Sequence, residues 1–341
     1  MQAGLPENLK SVGLVVIGRN EGERFLGCLA SLPSGIPAVY VDSGSTDASV
    51  ANAEAANVYV AILSHGSGFT AARARNLGWR MLVKKFPNLD YVQFIDGDCS
   101  LDSRWLGEGL VAIEQDERLA IVFGRNRERY PEMSFYNGQC DREWDVPVGE
   151  VLSCGGNALM RIAALIQVGG FKDRLIAGEE PDLCIRLRSL GWRIRRIKPE
   201  MTTHDAAILT FGSWWQRAKR AGHAYAEQLF IHGRLSLPNW SRALASMLFW
   251  ALLFPFLIIL GLILGFVSTE IWFLLSMAIT IVYFFQFFRL WHSGISFGLS
   301  RKVARAEAFL LLVAKFAHFA GATIFVLNSI KGKRPVLMEY K

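Results

Sequence analysis

The chain has 341 residues, 52% hydrophobic and 20% charged, with a mean hydropathy of +0.25; this excludes a disordered chain and a small disulfide scaffold. Charge is unevenly distributed: residues 1–240 carry 27 Lys and Arg against 27 Asp and Glu, whereas residues 241–341 carry 10 against 3, the whole of the net +7. A basic excess confined to the most apolar third points to anionic lipid surfaces rather than nucleic acid, and the balanced part is long enough to bury its own core.

Five widely spaced cysteines without a C-x-x-C (Cys28, Cys99, Cys140, Cys154, Cys184) read as reduced thiols rather than disulfides or a zinc site. Residues 1–10 lack the apolar stretch of a signal peptide, so the first region is expected to stay in the cytoplasm.

In chain order, residues 12–18 (VGLVVIG) form a continuous apolar run, as a strand covered on both faces should. A helix pattern follows over 23–32, then a strand at 37–42 closed by Ser43-Gly44-Ser45-Thr46. Asp47 is placed to cap a helix through Ala56. A strand at 58–63 leads through Gly66-Ser67-Gly68 to a helix over 70–85, and a strand at 90–95 ends at Asp96-Gly97-Asp98. This β-α-β-α order predicts an α/β domain with an open, largely parallel sheet and chemistry at the carboxyl ends of its strands. Residues 125–150 read as a long loop, with a helix near 180–190 and a closing strand at 192–197.

Residues 213–232 alternate Trp, Ala and Phe with Arg and Lys at helical spacing, predicting an amphipathic helix at a membrane interface, with a linker to 242. Residues 243–267 and 271–288 are uncharged and long enough to span a hydrocarbon core, and their short linker makes them a hairpin. A third apolar segment, 308–327, holds Lys315 and His318 at its middle, where charge costs a few kcal/mol. Spanning would also put Lys331, Lys333, Arg334 and Lys341 outside, against the positive-inside bias. Two spans are therefore expected, with the third segment lying along or dipping into the cytoplasmic leaflet. The predicted division is 1–212 catalytic, 213–242 interfacial and 243–341 membrane region with a basic tail.

Two carboxylates separated by one small residue, as in Asp96-Gly97-Asp98, can reach one hard cation, and the glycine lets a diphosphate approach the backbone. Alone this is an ordinary turn signal. It gains weight from the ordered set Ile17-Gly18-Arg19-Asn20-Glu21, Val41-Asp42-Ser43-Gly44-Ser45-Thr46-Asp47, Ala74-Arg75-Asn76-Leu77-Gly78, Asp96-Gly97-Asp98 and Gly178-Glu179-Glu180-Pro181-Asp182-Leu183 with Arg186. Over residues 10–225 this set resembles the family 2 glycosyltransferases, which have the GT-A fold.

The resemblance implies a nucleotide-sugar donor and a divalent metal, Mn or Mg, to neutralise the departing diphosphate. Asp98 matches the metal-binding position, and Asp96 the one nearer the ribose and the metal-bound diphosphate. Asp42 matches the base-binding residue, with Asn20 and Glu21 near base and ribose and Arg75 and Asn76 near the nucleotide. Direct displacement needs a base for the acceptor hydroxyl. Glu180 matches it, with Glu179 its neighbour and Asp182 the alternative; repulsion between adjacent carboxylates raises one pKa. His204 matches a histidine that completes the metal site in related enzymes. Gln216-Arg217-Ala218-Lys219-Arg220 resembles the Gln-x-x-Arg-Trp element of processive synthases imperfectly, with Lys219 and Arg220 where Arg and Trp should stand. Gln216 and Arg220 are expected at the donor diphosphate, the alternative being a helix that binds lipid headgroups.

The sequence thus points to a multi-pass inner-membrane, metal-dependent, inverting glycosyltransferase with a cytoplasmic catalytic domain and a lipid-linked or glycan acceptor. A processive polysaccharide synthase and a non-catalytic scaffold are the alternatives. Against the first stand the few spans and the missing Trp; against the second, the clustered carboxylates. A sugar nucleotidyltransferase fits less well, because its N-terminal glycine-rich phosphate loop is missing.

Overall fold

A computed structural model describes residues 7–64, 68–233 and 238–332. The expected turn at Gly66-Ser67 and the tail residues Lys333, Arg334 and Lys341 lie outside the described residues. The chain divides into two compact units: residues 7–132 with 140–207, and residues 133–139 with 208–332.

The first unit is built on β1 (Val12–Gly18), α1 (Glu23–Ser31), β2 (Ala38–Asp42), α2 (Ser49–Ala55), β3 (Tyr59–Ile62), α3 (Ala71–Lys85), β4 (Tyr91–Asp96), β5 (Cys99–Leu101), α4 (Trp105–Glu114), β6 (Leu119–Glu128), α5 (Phe135–Glu143, whose first half belongs to the second unit), β7 (Gly149–Glu150), β8 (Ala158–Arg161), α6 (Ile162–Val168), α7 (Glu179–Ser189) and β9 (Arg193–His204). The strands form one mixed sheet, ordered β3-β2-β1-β4-β8-β6-β9-β5, with β7 also on β9. Its first four strands are parallel. β8 runs antiparallel to both β4 and β6, and β6 and β9 are parallel.

Continuous apolar runs make β1, β2 and β4 central, buried on both faces. In their register Gly18 lies opposite Asp42 and Ile17 opposite Asp96. The carboxyl ends of three strands are therefore level, and the loops after them converge. Gly78 brings α3 directly onto the sheet; a Cβ there would strike Val15 and sit 3.1 Å from Val41.

Residues 125–150 are not a loop. β6 continues through the charged run Arg125-Asn126-Arg127-Glu128, and α5 follows. β9 likewise runs on past residue 197 to His204. Pro199 disguises this, but it sits in an irregularity where three residues of β9 pass one of β6. Gly124 makes room for that bulge: a Cβ would lie 2.5 Å from the Pro199 carbonyl.

The second unit comprises α8 (Phe211–His232), α9 (Pro238–Met247), a π-helical stretch (Leu248–Leu253), α10 (Phe254–Val267), α11 (Ile271–Ser296) and α12 (Arg301–Ile330). Thr210 caps α8 by accepting from the Ser213 amide, and the Trp214 indole donates to Gln139. The π stretch precedes Pro255, which has no amide hydrogen to give; the Tyr283 hydroxyl donates to the Trp250 carbonyl there. α10 and α11 meet at Gly261, where the Ser276 hydroxyl donates to the Ile258 carbonyl at 2.8 Å. Residues Trp240–Val267, Ile271–Ser296 and Arg301–Ile330 form helices long and apolar enough to cross a membrane.

The buried stripe of α8, including Ala218, Gly222 and His223, meets α12. Gly222 lies against the His318 backbone and Gly321 against the Lys219 carbonyl. The helices approach backbone to backbone, as small residues permit.

Candidate active site

The loops after β1 and β2 knit together. Asn20, at φ 54°, accepts the Thr46 amide at 2.7 Å through its side chain, while its own amide donates to the Ser45 hydroxyl. Asp42 is buried and accepts the Gly44 and Ser45 amides, both at 2.9 Å, and the Tyr40 hydroxyl at 3.0 Å. Glu21 pairs with Arg24 at 2.9 Å. Three residues expected around the nucleotide thus stand in the adjoining ends of β1 and β2 and the loops after them.

Arg75, on α3, is the hub of a second cluster. Its guanidinium is buried and pairs with Asp96 at 2.9 Å and with Glu179 and Glu180 at 3.0 Å each. Burial works to lower its pKa, but Glu180, Asp96 and Glu179 outweigh burial and hold it above the usual arginine value. Glu180 is pushed up to about 7, first by burial and next by repulsion from Glu179, with Arg75 opposing. A carboxylate that exchanges its proton near neutrality suits a general base. Gly156 makes the cluster possible: a Cβ there would collide with the Arg75 guanidinium and stand 2.9 Å from Asp96 Oδ2. Asn157 accepts the Asp96 amide at 2.8 Å and fixes that strand end.

Asp98 and His204 form the third group. β5 pairs antiparallel with β9 so that Cys99 faces His204, and Asp98 Oδ2 lies 3.1 Å from His204 Nε2. The ligand atoms of Asp98, Cys99 and His204 all lie within 4.8 Å of one another. Two cis ligands of an octahedral ion at about 2.1 Å stand roughly 3 Å apart, so the Asp98–His204 spacing fits a hard divalent cation. Cys99 does not belong to that donor set. Burial first and then the Asp96 charge hold its thiol well above the usual range, so it stays a soft, protonated neighbour.

Two expected residues are placed otherwise. Asp182 is fully buried, and its carboxylate is paired with Lys172 and Arg186, each at 2.8 Å. Both oxygens of this carboxylate are thus committed to cations. Asn76 spends its amide on the chain: it donates to the Phe171 carbonyl and Asp173, and accepts from Trp79 and the Phe171 amide. It braces the 171–173 loop. Asp96 is engaged by Arg75 rather than gathered with Asp98 and His204. Gln216 and Arg220 lie on α8, in the second unit.

Sequence reasoning missed Gly156, Asn157, Glu128 and Trp144. The first two stand in a Gly-Gly-Asn turn signal before β8, which marks a turn but not the side chains packed against it; the others fall in the segment that reads as a loop.

The family model described as "Glycosyl transferase family 2" matches residues 14–166, and "Glycosyl transferase family group 2" matches residues 120–287. Two curated proteins of Mycobacterium tuberculosis, from strains CDC 1551 / Oshkosh and ATCC 25618 / H37Rv and both named pre-mycofactocin glycosyltransferase, are 28% identical over 207 residues. The alignment takes 58% of this chain and 43% of theirs, so the chain spans less than half the length of these relatives. Among solved structures, the mannosyltransferase PcManGT from Pyrobaculum calidifontis, in complex with GDP-Man and Mn2+, superposes with a TM-score of 0.55 at 14% identity, over 93% of this chain and 87% of that one. TarS 1–349 of S. aureus in complex with UDP-GlcNAc gives 0.47 at 16% identity, over 95% and 92%.

Proposed function

This chain belongs to the family 2 glycosyltransferases, and we propose that it transfers one hexosyl unit, with inversion, from a nucleotide-sugar to a membrane-associated acceptor, a lipid-linked glycan or polysaccharide. The observation that carries this reading is the bridge Asp96–Arg75–Glu180. It ties Asp96, the last residue of β4, to a carboxylate that titrates near pH 7.

Asp42, Asn20 and Glu21 would line the base and ribose side. Asp98 and His204 would hold a divalent cation, which when bound supplies charge neutralisation to the departing diphosphate. Glu180 Oε1 is engaged by Arg75, leaving Oε2 to take the proton of the acceptor hydroxyl as its oxygen attacks the anomeric carbon. Arg75 keeps Glu180 low enough to be charged at neutral pH, while Glu179 and burial keep it basic enough to accept a proton.

The test is turnover of a panel of UDP- and GDP-sugars by the full chain in detergent with Mn2+. Asp98→Asn is expected to reduce turnover by about 10²–10³-fold with unchanged circular dichroism. Equal activity of wild type with and without chelator would refute the metal reading.

We also propose two spans at the inner membrane, with the first unit on the cytoplasmic side. Gly321, which touches the Lys219 carbonyl, stands nine residues before the end of α12 at Ile330, or about 14 Å along the helix. Were α12 to cross, Lys219 and its neighbour Arg220 would sit near the bilayer midplane, at a cost of several kcal/mol. An α12 lying in the cytoplasmic leaflet avoids that cost. A Gly332→Cys chain is then not labelled by an impermeant thiol reagent added to intact cells. The native thiols are buried, so labelling from outside would count as a third span.

A further inference from the structure

His204 is flanked on both sides. Its Nε2 faces Asp98, while its Nδ1 is buried, has no hydrogen-bond partner and looks at Glu128 Oε2 from 3.8 Å. Strand pairing produces this arrangement, since Glu128 on β6 is the register partner of His204 on β9. Glu128 is almost fully buried; its Oε1 accepts the Tyr130 amide at 3.1 Å and its Oε2 the Ala206 amide at 3.0 Å. Those bonds fasten the carboxylate in place. Trp144 packs against the imidazole, the two rings nearly perpendicular with centroids 4.7 Å apart.

Building on the metal-dependent reading above, we infer that Glu128 is a positioning residue that holds His204 in the tautomer and orientation needed to bind a divalent cation. An imidazole that ligates through Nε2 carries its hydrogen on Nδ1, and that hydrogen needs an acceptor. Glu128 Oε2 is on that side of the ring, and a carboxylate oxygen can accept a second hydrogen bond beside the one from Ala206. A closing movement of less than 1 Å turns the 3.8 Å approach into a hydrogen bond. The carboxylate behind the ring also orients the imidazole with Nε2 towards Asp98. Trp144 restricts ring rotation, so the histidine does not reorient when the cation leaves.

The experiment uses the full chain in detergent, with Mn2+ as the probe. Mn2+ affinity is read from the electron paramagnetic resonance of the free ion, and thermal unfolding is followed with and without Mn2+. Glu128→Gln keeps the shape but puts an N–H where an acceptor is required. It is expected to weaken Mn2+ binding about 10–100-fold and to shrink the Mn2+-induced rise in Tm accordingly. Glu128→Asp keeps the charge one methylene further away and gives an intermediate loss. At saturating Mn2+ the turnover of either variant returns towards wild type, because the defect lies in holding the ion.

A folded Glu128→Gln or Glu128→Asp that binds Mn2+ like wild type would overturn the inference and leave the metal reading standing. So would a lower Tm without Mn2+ at unchanged affinity, or failure of both variants to fold while His204→Gln folds, since Glu128 would then only fasten backbone. Wild type that binds no Mn2+ would sink both readings.

Discussion

The two units bury polar groups by opposite means. In the first, every charge of the Arg75 cluster has a counter-charge at about 3 Å, and the cluster borders the level strand ends of a rigid sheet. In the second, α8 and α12 meet through glycine and alanine, and His223 is fully buried with neither ring nitrogen hydrogen-bonded, its Nδ1 3.6 Å from the buried Glu227 carboxylate. Burial lowers its pKa to about 4, with Arg220 adding to the shift, so it stays neutral at physiological pH. Where chemistry is needed, the chain keeps charge and surrounds it with partners. Where α8 and α12 pack, the histidine stays neutral and small residues bring backbones together.

The comparison is broken most severely at Arg75. Arg75→Met leaves three acidic side chains crowded without their cation and is expected to cost about 3–5 kcal/mol of stability, measured by thermal unfolding, together with loss of turnover. The deficit is smaller at pH 5 than at pH 8, because the abandoned carboxylates take up protons as pH falls. Equal deficits at the two pH values would show that Arg75 matters for its bulk instead of its charge.

Glu180→Gln is next. Loss of the base lowers transfer by about 10²–10⁴-fold while titration calorimetry still detects the donor nucleotide. In wild type kcat/KM falls about tenfold per pH unit below about 7, as Glu180 takes up its proton. The stability effect has the opposite sign. A folded-state pKa of about 7 against an ordinary 4.5 means the fold prefers the protonated acid. Stability from this group is full below 4.5 and is lost as pH rises through 7. The Gln variant lacks that loss, so its Tm at pH 8 exceeds that of wild type although its activity is lower. A pH-rate profile with no acidic limb near 7 would remove Glu180 from the role.

In the second unit Gly321→Val places a branched side chain against the Lys219 carbonyl. The expected cost is about 1–3 kcal/mol, read as a lower unfolding temperature in detergent, with Gly321→Ala between it and wild type. A neutral Gly321→Val would mean that the backbones of α8 and α12 do not approach each other closely.

Legibility in the sequence followed local strength. β1, β2 and β4 were readable because each is an apolar run bounded by turns, and the first four strands alternate with helices. The long membrane-compatible helices were readable from hydropathy alone. Residues 125–150 were not readable, because β6 is half charged and its pairing with β9 repeatedly shifts register; a strand whose partner lies some 75 residues away leaves no period in its own sequence. Asp182 shows the same limit at the site. Three acidic residues in the first turn of α7 look interchangeable by sequence, yet only two positions separate a carboxylate locked between Lys172 and Arg186 from one shared with Arg75.

Composition, periodicity and the order of short polar motifs therefore determined the class of the protein: an α/β sheet with acidic loops after its strands, followed by apolar helices. Those features arise from interactions within a few residues, such as burial stripes, caps and turns. The tertiary structure alone decided which side chains meet. Arg75, Asp96 and Glu180 are drawn from three elements, and His204 reaches Asp98 only because β9 runs seven residues beyond its expected end and pairs with β5. Side chains far apart in sequence meet through the register of strands that their own local sequence does not encode.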